Sequence, residues 1–185
     1  MLTTAQRATI VPSTPPSLPR LFLSPTRSGR AVLDGGWWAR SWDPVAELPG
    51  LLLALVARYG PIRQVMLNSV TWNSRFRRLA VGAGVVRMGW FASLDPALLI
   101  AITDRGDQLD VLVVPPDTGA ATARRAMTMA ADPMNTMRAP DILAAMPAAP
   151  RNGPDPHAVW DNEGGHTVAG VARAHPSELS VVRPG

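Results

Sequence analysis

Between residues 62 and 114 the chain spells out short runs of β-branched, aliphatic and aromatic residues, divided by turn chemistry. The runs are Ile62–Leu67, Arg78–Val81, Val85–Phe91, Leu98–Thr103 and Gln108–Val114. Gly82-Ala83-Gly84 and Asp104-Arg105-Gly106-Asp107 are of hairpin length. A parallel crossover needs about a dozen residues or more, so strands joined this tightly are expected to be antiparallel neighbours. Arg20–Ser24 reads as a further strand, and Arg30–Leu33 extends the pairing after the Ser28-Gly29 turn. The expectation is an α+β fold: an antiparallel β-sheet of about five to six strands with two main helices packed on one face.

The first helix starts at Asp43-Pro44, where aspartate can cap free N–H groups and proline is pre-set for the first helical position. Leu48, Leu51, Leu52, Leu55 and Val56 recur at helical spacing, and Gly60-Pro61 ends the run. Pro49 lies inside it, which predicts a kink or two abutting short helices. The second helix spans about Gly119–Ala131, with Thr118 as cap, and Asp141–Met146 adds a last turn. These elements set a single α+β domain at residues 20–146. Residues 1–19, rich in Pro, Ser and Thr, read as a disordered N-terminal arm, and residues 147–185 as a Pro/Gly-rich flexible tail.

Composition removes several classes of function. The chain has no cysteine, so disulfides, thiolate catalysis and cysteine-bound metals are excluded. Its three histidines, His157, His166 and His175, all lie in the tail, which leaves the expected domain without the usual general base. No catalytic residue, metal ligand or cofactor is assigned. No run approaches the roughly 18 apolar residues of a membrane span, and prolines 12, 15, 16 and 19 interrupt any signal-type apolar stretch. A cytoplasmic protein with no membrane partner is expected.

All 18 basic residues are arginine, which drives the sequence pI to about 11.1 although the net charge is only +4. A charge that small permits a nucleic-acid partner without demanding one.

Trp37, Trp38, Trp42, Trp72 and Trp90 fall within one stretch of the chain, close in sequence to Asp34 and Arg40. Tryptophan suits both cores and ligand platforms. In a strand, Trp37 and Trp38 would point to opposite faces, so one of them should lie off the main core. These residues, Asp34, Trp37, Trp38, Arg40, Trp42, Trp72 and Trp90, form the candidate ligand surface. Arg75, Arg77, Arg78 and Arg87 form a candidate contact for an anion or nucleic acid, although arginine at a strand entry also guards an edge against aggregation. Asp110, alternating with apolar neighbours, is the carboxylate least explained by a turn, and a two-carboxylate site with Asp34 is a third possibility.

Several segments in order, RLFLSPTR at 20–27, LDGGWWARS at 33–41, RMGWF at 87–91, LVVPPDT at 112–118 and ADPMNTMRAPDIL at 131–143, resemble an actinobacterial family catalogued as domain of unknown function 5994. The resemblance spans roughly residues 20–146 and implies a bacterial intracellular protein, with no activity or site residue to carry across. The reading that results is a non-catalytic binding or regulatory module, its partner an unknown protein or a small anionic or aromatic ligand. The alternatives are a nucleic-acid-associated protein using the arginine cluster and a metal-independent carboxylate enzyme.

Overall fold

The computed structural model describes residues 8–26 and 29–146, so the expected C-terminal tail lies outside the described residues. Eight strands form one sheet: β1 (Thr9–Ile10), β2 (Arg20–Leu23), β3 (Gly35–Trp38), β4 (Ile62–Asn68), β5 (Arg78–Val81), β6 (Gly84–Phe91), β7 (Leu98–Thr103) and β8 (Gln108–Val114). Among the described residues there are three helices, α1 (Pro44–Tyr59), α2 (Ala120–Ala130) and α3 (Ala139–Ala144). The strand order is β1-β5-β6-β4-β7-β8-β3-β2.

The α+β class is as expected, but the sheet is mixed and larger. Short turns do make antiparallel hairpins of β5/β6 and β7/β8. Three other pairs are parallel: β1 with β5, β3 with β8, and β4 with β6. Short connections need not join neighbours. The loop 92–97 between β6 and β7 crosses β4, which pairs parallel to one and antiparallel to the other. The Gly35-Gly36 pair, a combination common in turns, lies in a strand, while Arg30–Leu33 carries no strand.

Helices cover both faces rather than one. On the first face α1 buries Leu48, Leu51, Leu52 and Leu55 against Trp37, Val65, Leu67, Leu79, Leu99, Leu109, Val111 and Val113. The Asp43 carboxylate accepts from the Val45 N–H at 2.9 Å, with Pro44 in the first turn, as the sequence implied. The helix runs as one element through Pro49 instead of splitting. A proline there forfeits only the bond to the Val45 carbonyl, and the leucine stripe on either side is fully buried.

On the second face α2 and α3 bury Ala123, Ala126, Met127, Ala130 and Ile142 over Leu112 and Val114 of β8. Alternate residues of β8 therefore enter opposite cores, the period-2 signature of a strand covered twice. Gly36 permits the close approach: a Cβ at that position would stand 2.7 Å from the Met127 Cα. The N-cap of α2 is Gly119, not Thr118, and makes no side-chain capping bond.

From residue 8 the N-terminal segment is part of the fold rather than a loose arm. Thr9–Ile10 pairs with Arg78 and Leu79, and the Ser17 carbonyl lies against Gly50 of α1. Residues 1–7 lie outside the described residues. No helix among the described residues is long and apolar enough to cross a membrane.

Candidate functional site

The tryptophans do not assemble into one ligand surface. Trp37 is fully buried and Trp72 is 4% exposed. Their rings stack at 5.8 Å between centroids and 8° between planes, and Trp42 meets Trp72 edge-on at 5.3 Å and 89°. Trp90, half-buried, packs edge-on against Phe76 and donates its Nε1–H to the Phe76 carbonyl at 2.6 Å. Trp37, Trp42, Trp72 and Trp90 thus belong to the main core or its margin.

Trp38 points the other way, as the alternation of a strand requires, and joins the second core. It donates Nε1–H to the Pro115 carbonyl at 3.1 Å, and the Arg20 guanidinium covers its ring. Desolvation, with the nearby Arg40 charge, lowers the pKa of Arg20. Arg40 itself is exposed. Asp34 takes part elsewhere, beside β8.

The arginines divide as well. Arg75 donates to the Ser69 carbonyl at 2.6 Å, which fastens its own loop. Arg77 is exposed at the start of β5, its carbonyl accepting from Met88 N–H at 2.9 Å. Arg78 and Arg87 are directly opposed across β5 and β6, both exposed, and neither has a carboxylate partner among the described residues. Like charges placed so are destabilising.

That arginine pair borders a surface that sequence reasoning missed. On the second face, α2 and α3 pack chiefly on β2, β3 and β8, with Leu98 of β7 at the margin of the core they form, and the side chains of Met66, Ile100 and Ile102 stand outside that core. The register lines up Arg78, Arg87, Gln64, Ile102 and Gln108 in one row across the sheet. The next row holds Gly89, Met66, Ile100 and Asp110. Met66, Ile100 and Ile102 are half-buried and belong to neither core. Phe91, 46% exposed, lays its ring over Gly89, where a Cβ would stand 2.8 Å from it.

At the far end of these rows, Asp110 opens into a recess of about 500 Å³ lined by Asp34, Asp107 and Gln108 with residues of the 29–32 turn. The Asp34 N–H donates to the Asp110 carbonyl at 2.7 Å, and the Asp34 carboxylate accepts from the Asp110 N–H at 2.9 Å. Structure therefore brings together the two carboxylates singled out in the sequence. Gln108 donates to the Asp110 carboxylate at 2.8 Å. Burial raises the pKa of Asp110; the Gln108 bond opposes this, and the Asp34 charge adds to it. Among the described residues, no group of three or more histidines, cysteines or carboxylates is arranged to hold a metal ion.

A mixed sheet with helices on both faces defines an α+β protein by architecture, not by reaction. The family of unknown function DUF5994 matches residues 20–130, from the first residue of β2 to the last of α2, and the chain belongs to that family. No curated protein and no solved structure matches it.

Proposed function

We propose that the protein is a non-catalytic binding module whose contact surface is the uncovered sheet face flanked by Arg78 and Arg87. The observation that carries the reading is this arginine pair, set side by side without a counter-charge among the described residues, next to the half-buried Met66, Ile100 and Ile102 and the exposed Phe91. Folding alone gives no reason to oppose two like charges. Their cost is offset when an acidic group of a partner meets both guanidinium forks. The apolar strip beside them supplies the area that such contacts bury. Compared with the expected tryptophan surface, the site keeps the arginines and exchanges indoles for aliphatic side chains.

Polyglutamate serves as an acidic probe, titrated against nanomolar labelled protein over a salt series. Binding that weakens at least tenfold in the Arg78→Ala/Arg87→Ala variant is expected. Equal binding by both proteins, or none by either, removes the reading. Tighter, salt-sensitive binding of mixed oligonucleotides would replace it with a nucleic-acid reading.

One observation favours a second reading, a carboxylate enzyme: Asp110, with its raised pKa, shares a recess with Asp34. A panel of small esters, phosphates and glycosides tests it. Turnover abolished by Asp110→Asn would support it, and no turnover on the panel counts against it.

A further inference from the structure

We propose that the free edge of β2 is where two copies of this chain join, edge to edge, into one continuous sheet. The edge lies at the end of the strand order away from Arg78 and Arg87, so the inference goes beyond the arginine face and does not depend on it.

The Ser24 N–H donates to the Asp34 carbonyl at 2.8 Å, one step past the Leu23–Gly35 pair. Bonds of an antiparallel pair alternate along the strand. Arg20, Phe22 and Ser24 therefore turn their backbone groups to β3, and Leu21 and Leu23 turn theirs outward. Among the described residues, nothing bonds to the N–H or C=O of Leu21 or Leu23. Exposed edges are commonly guarded by a charge, but the one charge of β2, on Arg20, is folded back over Trp38. The middle of the strand instead carries Phe22, 41% exposed on the second face. Beside it opens a recess of about 560 Å³, walled by Phe22, Thr128, Met129 and Pro133.

The strand that fits this edge is β2 itself. A two-fold axis through Phe22, perpendicular to the sheet, sets Leu21 of one protomer opposite Leu23 of the other. Each such pair exchanges two backbone hydrogen bonds, and the pair occurs twice. Pro19 and Pro25 hold the next outward positions and have no N–H to give, so they end the ladder on both sides. Sliding by two residues would oppose Pro19 to Leu23, or Pro25 to Leu21, and forfeit bonds.

The same axis faces Phe22 with Phe22 in a close pair, about 4.5 Å apart at Cα. Helices do not collide there. On this face α2 packs chiefly on β3, and the two copies of β3 are three strand spacings apart, roughly 14 Å. Helices in direct contact stand roughly 8–10 Å apart, so the space between the two α2 helices takes in both recesses and both Phe22 rings.

Charge agrees with this register. Thr128 and Asp132 line the recess, and Arg124 lies one turn before Thr128 on the same stripe, exposed. Phe22 pairs with Gly36, which meets Met127, so the axis runs level with the 127–128 turn of α2. Arg124 of each protomer is thereby brought toward Asp132 of the other. Neither has an ion-pair partner among the described residues. One Asp132 oxygen accepts from the Met134 N–H at 2.8 Å, and the other is left for the guanidinium. Arg125 is turned about 100° from the stripe. Arg58, which donates to the Pro25 carbonyl, stands with α1 on the other face.

Sedimentation velocity on the full chain, across protein and salt concentration, tests the proposal. A dimer is expected whose dissociation constant rises at least tenfold with Phe22→Glu and several-fold with Arg124→Glu. Asp132→Arg should weaken it likewise, and the double variant Arg124→Glu/Asp132→Arg should recover most of the loss. Circular dichroism checks the fold; where Asp132→Arg fails to fold, Asp132→Asn keeps the acceptor for Met134 and takes its place. Amide hydrogen exchange at Leu21 and Leu23 should slow as the dimer forms. A chain monomeric at every concentration overturns the inference, and so does a dimer that Phe22→Glu leaves intact. The Arg78→Ala/Arg87→Ala variant should dimerise like the parent; loss of association in that variant would move the contact to the arginine face and overturn the edge pairing.

Discussion

Arg20 lies over Trp38, its guanidinium carbon 3.3 Å from the ring centre, while its Nε–H donates to the Trp38 carbonyl at 3.1 Å. A second N–H of the same guanidinium donates to the Ala39 carbonyl. The two residues are direct partners across β2 and β3, and Trp38 is tied in turn to the exit of β8 through Pro115. One side chain thus fastens the β2 edge of the sheet. Arg20→Ala should cost about 1–3 kcal/mol, since it removes a cation–π contact and charge-assisted bonds. Lysine should restore only part, having no planar fork. Urea unfolding checks both; an alanine variant within about 0.5 kcal/mol of the parent would show the contact to be idle.

The elements of this fold were legible wherever their signals are local. Asp43-Pro44 and the leucine stripe locate α1, and the β-branched runs locate β4 to β8 within a residue or two. Strand order was not legible, because it is decided by contacts distant in sequence. Gly35-Gly36 looks like a turn, and only the approach of Met127 explains glycine in a strand there. The parallel pairing of β3 with β8 likewise joins Gly35 to Val111 with no local trace.

For the candidate site, the arginine run and Asp110 could be singled out from sequence, but the apolar strip could not. Leu98–Thr103 is nearly continuous in apolar residues, as a strand covered on both faces would be. The polar residues that mark its second face as open, Gln64, Arg87 and Asp110, sit on other strands. They line up with Ile100 and Ile102 only once the register is known.

Gly36→Ala should be among the most damaging small substitutions in the chain. The added methyl would stand 2.7 Å from the Met127 Cα, so α2 as a whole must retreat from β3. Overpacking of this kind costs about 1–3 kcal/mol. Gly119→Ser offers the opposite case: nothing lies within 4 Å of its Cβ, and α2 has no side-chain cap. A gain of a few tenths of a kcal/mol is expected there. Thermal unfolding of the pair measures both signs at once.

Asp110 makes stability depend on pH in a particular direction. Its folded pKa is raised above 3.8, mainly by burial, so between that value and the raised one the folded chain holds more proton than the unfolded chain. Stability contributed by this residue therefore falls as pH rises through that window, and the ionised form is a burden at neutral pH. Asp110→Asn should stabilise at pH 7. Its advantage should fade as pH drops below about 4, the ordinary aspartate range. An advantage that grows toward acid would contradict this assignment.

Trp72 separates a structural role from a recognition role for the indoles. It is 4% exposed, stacked on Trp37 and met edge-on by Trp42. Removing it empties the middle of a three-ring assembly that neighbouring strands and loops cannot collapse to fill. Trp72→Ala should therefore cost about 3–5 kcal/mol in unfolding free energy with no ligand present. Trp72→Phe should cost less, because a ring remains between the other two. A tryptophan kept for ligand stacking would behave differently: its alanine variant would unfold with the parent and lose only binding. Urea unfolding of the two variants, followed by far-ultraviolet circular dichroism so that the missing fluorophore does not matter, distinguishes these roles.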